Sequence, residues 1–432
     1  MKIACMIPAG VGGTQKAAWL FAEGLARRGH EVTAFSGSSP YHDPDHPIPG
    51  LKVEPVHTEA DSFPAIRDGR FDALHLHVPG YSLLHPIYPL LHEMGKNRPK
   101  VVETNILGWL TDRAAQGVTD QHFFVSMTSA CQAARRSWKS LRNLENCGVA
   151  RNPICPPRPF TREARSLLRS RLGFAEQDIV ALRLGRPDPA KWTAWECCAV
   201  KAARQNGSPH IKLLAIEPSP LLKAEILSGA YGEGIISLPL VTDPSQVEAL
   251  IHASDVILHA ARYGESYGYA IAEGMAAGKP VISRSTPWGD NAQVELVDHG
   301  KTGFICCTLE GFTEALQIVA NDEALRSKLG REGKARILDL ADLDRECALL
   351  NAAFSEPGSP LLQERWENTL AFGKTLHARE WNVFEATHGH ALGLDRSLFR
   401  RERIYSRIRE GKAVLSAARA SLRSAMGATA YR

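Results

Sequence analysis

Gly264-Glu265-Ser266-Tyr267-Gly268-Tyr269-Ala270-Ile271-Ala272-Glu273-Gly274-Met275-Ala276-Ala277-Gly278-Lys279-Pro280-Val281 sets two carboxylates, Glu265 and Glu273, around a small-residue turn that runs into a helical pattern. The pattern predicts a helix over 266–277. At roughly 100° per residue, eight residues would leave the two carboxylates about 80° apart around its axis, able to face one pocket. Free N–H groups and the dipole at the helix mouth favour a phosphate beside Glu265, and Glu273, two turns in, can accept hydrogen bonds from a diol. A sugar nucleotide carries both groups. The plainer alternative is an amphipathic helix with two solvated acids.

Upstream, Leu182-Arg183-Leu184-Gly185-Arg186-Pro187-Asp188-Pro189-Ala190-Lys191-Trp192 is an apolar strand ending in a glycine turn and two cations. Cations fixed beside a departing diphosphate stabilise the charge it gains, and an Arg fork grips phosphate oxygens. Taken alone, Arg186 and Lys191 could equally mark a solvated turn. Short apolar strands at 179–184, 211–217, 235–240, 256–260 and 280–283 alternate with helical segments, one opened by Asp243 as N-cap and Pro244 in the first turn. The chain starts in the same way: a strand over 3–8, the glycine loop Gly10-Val11-Gly12-Gly13, a helix over 14–28 closed by Gly29, and a strand over 31–36. Both halves therefore read as doubly wound α/β domains. The first loop is not a dinucleotide fingerprint, because Gln15 stands where a third glycine is needed and the second strand ends without an acid for a ribose.

The 264–282 stretch resembles the signature of the retaining glycosyltransferases of the large family-four group (glycosyl transferases group 1): Glu, seven residues, Glu, a small-residue run and Gly-x-Pro-Val-Ile, here Gly278 to Ile282. The blocks 289–297 and 300–304 resemble that family's next loop, helix and glycine turn, and Gly185-Arg186…Lys191 its cation loop. The resemblance covers about residues 1–340 and is densest over 180–304. It implies the GT-B architecture: two Rossmann-like doubly wound domains facing a cleft, here with a helical C-terminal extension. It implies that the second domain binds a nucleoside-diphosphate sugar, most simply UDP- or GDP-linked. Glu273 would hold the ribose hydroxyls, Glu265 the hydroxyls of the transferred sugar, and Arg186 and Lys191 the diphosphate. The backbone of Ser266, Tyr267 and Gly268 would lie near sugar and diphosphate, and Gly12 and Gly13 would let the first domain's backbone approach the donor or the acceptor.

His75 and His77, on one face of a short strand by alternation, match a similar stretch in the family and are expected at the acceptor cleft; structural histidine is the plainer reading. Relatives carry a histidine after the next strand, where this chain offers Glu103, Asn105 or Ile106, with Asp112 as a further substitute. Asn105 is the cleft candidate among them. That departure leaves any general base unassigned, although in retaining transfer the leaving phosphate can take the acceptor's proton. No Asp-x-Asp metal motif is read in the sequence, so no metal or other cofactor is expected. The acceptor would be a glycan, a lipid-linked sugar or a small molecule.

A chain of 432 residues exceeds one hydrophobic core. The proline cluster Arg151 to Pro159 and the break at Ser355 to Pro360 divide it into an acceptor-side domain (1–155), a donor domain (156–350) and a helical, basic extension (351–432). Trp366, Phe372, Trp381 and Phe384 stand at helix-compatible spacing in that extension and imply some packing. Hydrophobic content of 44% with 23% charged residues is ordinary for a soluble protein, and no apolar run suffices for a membrane span. The first residues are too soon interrupted for a signal peptide, so a cytoplasmic protein is expected. Nine cysteines, two pairs of them adjacent, suggest neither a disulfide framework nor a zinc site. The net charge of +4 hides an asymmetry: from Arg396 to Arg432, ten Arg or Lys face two Glu. That basic tail could touch anionic lipid on the inner membrane face; as a solvated tail it would touch nothing. It contains no nucleic-acid-binding module.

Rival readings are a GT-B sugar-nucleotide epimerase or phosphorylase and, from another class, a degenerate nucleotide-sugar-binding or scaffold protein. Epimerisation without an acceptor, phosphate-dependent glycan cleavage, or binding without turnover would single each one out.

Overall fold

Near-continuous runs of buried apolar residues, such as Ile3-Ala4-Cys5-Met6, suit strands covered by helices on both faces, and every paired strand is parallel. The computed structural model describes residues 1–388 other than 79–85, 110–116, 138, 288 and 357. The first sheet contains β1 (Lys2–Met6), β2 (Glu31–Ser36), β3 (Leu51–Pro55), β4 (Ala73–Val78), β5 (Lys100–Asn105), β6 (Gln121–Phe124) and β7 (Cys147–Val149), in the order β3-β2-β1-β4-β5-β6-β7. The second contains β8 (Ile179–Leu184), β9 (Ile211–Ile216), β10 (Ile235–Leu238), β11 (Val256–His259), β12 (Val281–Arg284) and β13 (Gly303–Cys306), in the order β10-β9-β8-β11-β12-β13. These are the two Rossmann-like domains of a GT-B fold, with a helical C-terminal segment.

In each sheet the strand order reverses beside the first strand, between β1 and β4 and between β8 and β11. The crevice beyond the carboxyl ends of strands at such a reversal is where doubly wound sheets bind ligands. The loops after β8 and β11 carry Arg186, Lys191 and Glu265 to that position.

Two segments cross between the domains side by side. The Arg151–Pro159 stretch bonds to the return, Ile154 N–H donating to the Ala341 carbonyl at 2.9 Å. The helix Leu343–Ser355 then buries Cys347, Leu350, Ala353 and Phe354 with Ile3, Cys5, Phe21 and Leu25. It therefore packs in the first domain, ahead of the boundary expected at 350. Burying a side chain such as Leu350 or Phe354 contributes about 1.5–3 kcal/mol, so this return is part of the first domain's core. The last helix, Pro360–His388, buries Leu376, half-buries Trp366 and Phe372, and ties Arg365 to the buried Glu346 at 2.9 Å. Asp112, the side chains of Trp381 and Phe384, and the basic run Arg396 to Arg432 lie outside the described residues. No helix among the described residues is long and apolar enough to cross a membrane.

Candidate functional site

The predicted helix begins three residues later than expected. Gly268 takes φ +98°, a left-handed conformation open to glycine, and caps the helix Tyr269–Ala276. Glu265 therefore lies in the turn ahead of the helix, and the helical-wheel relation between the two carboxylates does not apply. They serve two separate environments.

Glu265 is held from both flanks of the β8/β11 crevice. Its Oε2 accepts from Lys191 Nζ at 2.7 Å, and its Oε1 stands 3.2 Å from His259 Nε2. Burial favours the neutral acid, but the Lys191 ammonium and then His259 outweigh it and hold the carboxyl well below the usual carboxylate range. Burial and the nearby Arg183 lower His259 against the pull of Glu265. The Gln293 side chain receives the Glu265 N–H at 3.2 Å, and the Glu265 carbonyl accepts from Ala292 at 2.8 Å. The backbone N–H groups of Ser266, Tyr267 and Gly268 have no acceptor among the described residues. The exposed Arg186 guanidinium likewise has no partner there. Asp290, half-buried and pushed up by desolvation against the pull of Arg136, pairs with Arg136 of the first domain at 3.2 Å.

Glu273 lines a cavity of about 300 Å³ between the domains, and Glu265 is not in its lining. The second domain supplies Val241, Thr242, Val247 and Ala276 to this cavity; the first supplies Val11, Lys16 and Tyr41. Lys16 Nζ donates to Glu273 Oε1. Burial alone would lower Lys16; Glu273 reverses this, and its pKa is raised. The lining mixes apolar side chains with two ion pairs, Lys16–Glu273 and Arg158–Glu248, and so offers both apolar surface for a flat ring and charged groups for a hydroxylated tail.

The first-domain candidates have other employment. A Cβ on Gly13 would come within 2.5 Å of the Tyr269 ring, so this glycine permits contact between the domains; the space beside Gly12 is open. His75 and His77 are buried against Phe21, with His75 Nε2 2.9 Å from Thr104 Oγ1, and burial lowers both, His77 to about 3. Asn105 holds the Gly108 N–H at 3.1 Å and donates to the Trp109 carbonyl. The structure thus places His75, His77 and Asn105 inside the first domain, not on its cleft surface. Glu103 is buried too, accepting from Tyr88 at 2.9 Å.

The domains are latched shut. Ser126 and Ser129 donate to the Ser266 carbonyl at 2.6 and 2.8 Å, Tyr269 donates to the Pro153 carbonyl at 3.1 Å, and buried Glu295 joins Thr128 to Arg151. Tyr267 is buried with its hydroxyl unpartnered among the described residues. Two Asp-x-Asp spacings lie away from the crevice: Asp43 pairs with His46 in an exposed turn, and Asp342 caps a helix. No group of three or more His, Cys, Asp or Glu among the described residues is placed to hold a metal.

Sequence reading missed His259 and Lys16. His259 ends β11 six residues before Glu265, a signal visible only once the strand's end is known. Lys16 meets Glu273 across 257 residues, and nothing local announces that pair.

Residues 221–336 match the family described as Glycosyl transferases group 1. A 76-residue stretch is 38% identical to the alpha-1,3/1,6-mannosyltransferase ALG2 of Dictyostelium discoideum, and the chain spans only 17% of that relative's length. In three dimensions, Anabaena HepE in complex with UDP and glucose superposes with a TM-score of 0.64 at 16% identity, over 83% of this chain and 100% of that one. A glycosyltransferase from Rickettsia africae superposes with a TM-score of 0.67 at 15% identity, over 82% and 98%. The chain has the GT-B fold, and residues 221–336 of its second domain match the glycosyl transferases group 1 family.

Proposed function

We propose that this protein is a glycosyltransferase that moves a hexosyl group from a nucleoside-diphosphate sugar, UDP- or GDP-linked, to a glycan, lipid-linked or small-molecule acceptor. The observation that carries the reading is the crevice at the β8/β11 reversal. There an ionised Glu265, Lys191, the free Arg186 and the unpartnered N–H groups of Ser266 to Gly268 lie at the mouth of the helix whose Glu273 lines the interdomain pocket. The nucleoside fills the pocket with its ribose on Glu273, and the diphosphate runs toward the N–H groups and Arg186. The sugar hydroxyls meet Glu265. When the bond between the anomeric carbon and the diphosphate oxygen breaks, the electron pair stays on the diphosphate, where these cations and N–H groups stabilise it. The acceptor hydroxyl attacks from the same face and gives its proton to the departing diphosphate oxygen, so the configuration is retained. Closure of the first domain excludes water.

The reading requires no divalent cation. It is tested by incubating the purified protein with UDP- and GDP-hexoses in chelator and following the anomeric proton of the released or transferred sugar by NMR. Retention at full rate is expected; inversion, or turnover that returns only with a divalent ion, contradicts it.

A further inference from the structure

Beneath the cation loop lies a buried ion pair that the donor reading does not use. Arg183 is 0% and Glu196 1% exposed, with Nε to Oε1 at 2.8 Å. Burying two charges costs several kcal/mol per ion, and apolar residues of similar volume often serve stability as well or better. The pair therefore needs a reason other than stability, and its remaining contacts provide one.

The Arg183 guanidinium donates to the carbonyls of Leu184 and Lys191 and lies 4.6 Å from the Trp192 ring centroid. Trp192 Nε1 in turn donates to the Arg186 carbonyl at 2.7 Å. Both ends of the cation loop are thus fixed from below, and a Cβ at Gly185 would stand 3.2 Å from the guanidinium. Glu196 Oε1 also accepts the Ala260 N–H at 2.8 Å, and Thr193 donates to the Ala260 carbonyl at 2.9 Å, which anchors the segment just after β11. The preceding residue, His259, holds Glu265, and Glu265 holds Lys191. The contacts close a ring: Arg183, Lys191, Glu265, His259 with Ala260, Glu196, and back to Arg183.

We propose that the Arg183–Glu196 pair is a positioning element that sets the Arg186–Lys191 loop and the Glu265 turn against each other, so that the crevice recognises the diphosphate of its ligand. The proposal rests on the donor reading above. Neither residue touches the ligand. Their effect passes through the backbone of Lys191 and Ala260.

The test titrates UDP against uridine and GDP against guanosine, by calorimetry, into four proteins: wild type, Glu196→Gln, Arg183→Lys, and the apolar double variant Arg183→Leu with Glu196→Leu. Wild type is expected to prefer one diphosphate over its nucleoside. Each variant is expected to lose about 10- to 100-fold of that preference, the worth of one charge-assisted hydrogen bond, with nucleoside affinity within about twofold of wild type. The double variant separates positioning from an uncompensated buried charge, because it removes both charges together; its unfolding should stay cooperative while the preference is gone. If any folded variant keeps the wild-type preference, or if nucleoside and diphosphate affinity fall in parallel, the positioning role is wrong and the donor reading stands. If wild type shows no diphosphate preference in either pair, the donor reading fails and this inference falls with it.

Discussion

Lys16→Met keeps the aliphatic stem in the interdomain pocket and removes the ammonium from Glu273. The two side chains are 27% and 22% exposed. The pair therefore falls between exposed ion pairs, worth about 0–1 kcal/mol, and buried ones, whose breakage costs about 3–5 kcal/mol. A coupling of about 1–2 kcal/mol follows, or about 5- to 30-fold in an equilibrium constant. In the empty protein a ribose diol arriving at Glu273 must displace Lys16. The variant should therefore bind nucleoside about 5- to 30-fold more tightly while its ligand-free form unfolds at a lower temperature. Uridine and guanosine are the ligands to titrate, because without phosphates they report on the ribose end alone. Glu273→Gln should abolish binding in either background. Nucleoside affinity unchanged or weakened in Lys16→Met would refute the competition, and with it the placing of the ribose at Glu273.

Glu265→Gln should lower transfer by about two to three orders of magnitude and leave nucleoside affinity within about threefold, read by initial rates beside a titration with uridine and guanosine. Gly13→Ala drives a methyl into the Tyr269 ring and should cost about 1–3 kcal/mol, visible in urea unfolding and relieved by adding Tyr269→Ala. Burial lowers His77 from 6.5 to about 3 and His75 in the same direction, so the unfolded chain takes up these protons first as pH falls. The stability they contribute is complete above pH 6.5 and is lost below it, at about 1.4 kcal/mol per pH unit for each histidine. Urea unfolding at pH 7 and pH 5 should show the loss, and His77→Phe should reduce it.

The doubly wound plan was legible because it depends on local patterns. Runs such as 179–184 and 211–216 are apolar, β-branched and bounded by turns, and the glycine after β1 and the Asp243-Pro244 start mark helix boundaries directly. The site was legible where one segment carries it: Arg186 with Lys191 on one loop, Glu265 and Glu273 on one stretch. Its assembly was not. Gly268 delays the start of the helix because its left-handed φ breaks the helical pattern around it. Lys16 and Glu273 meet only because the domains close, and Arg183 reads as one more strand residue until its burial over Trp192 is seen. His75 and His77 alternate as a cleft-lining pair would, yet the helix Gly13–Arg27 lays Phe21 against them. Alternation selects a face of the sheet. It does not say what covers that face.

The central claim is a nucleoside diphosphate seated with its ribose on Glu273. The most direct test is thermal stabilisation of wild type and Glu273→Gln by UDP, GDP, ADP, CMP and TDP, since a ligand that binds only the folded state raises its apparent stability. One nucleotide should raise the unfolding temperature of wild type and leave that of Glu273→Gln unchanged. Stabilisation that survives the substitution, or none from any nucleotide, would contradict the account.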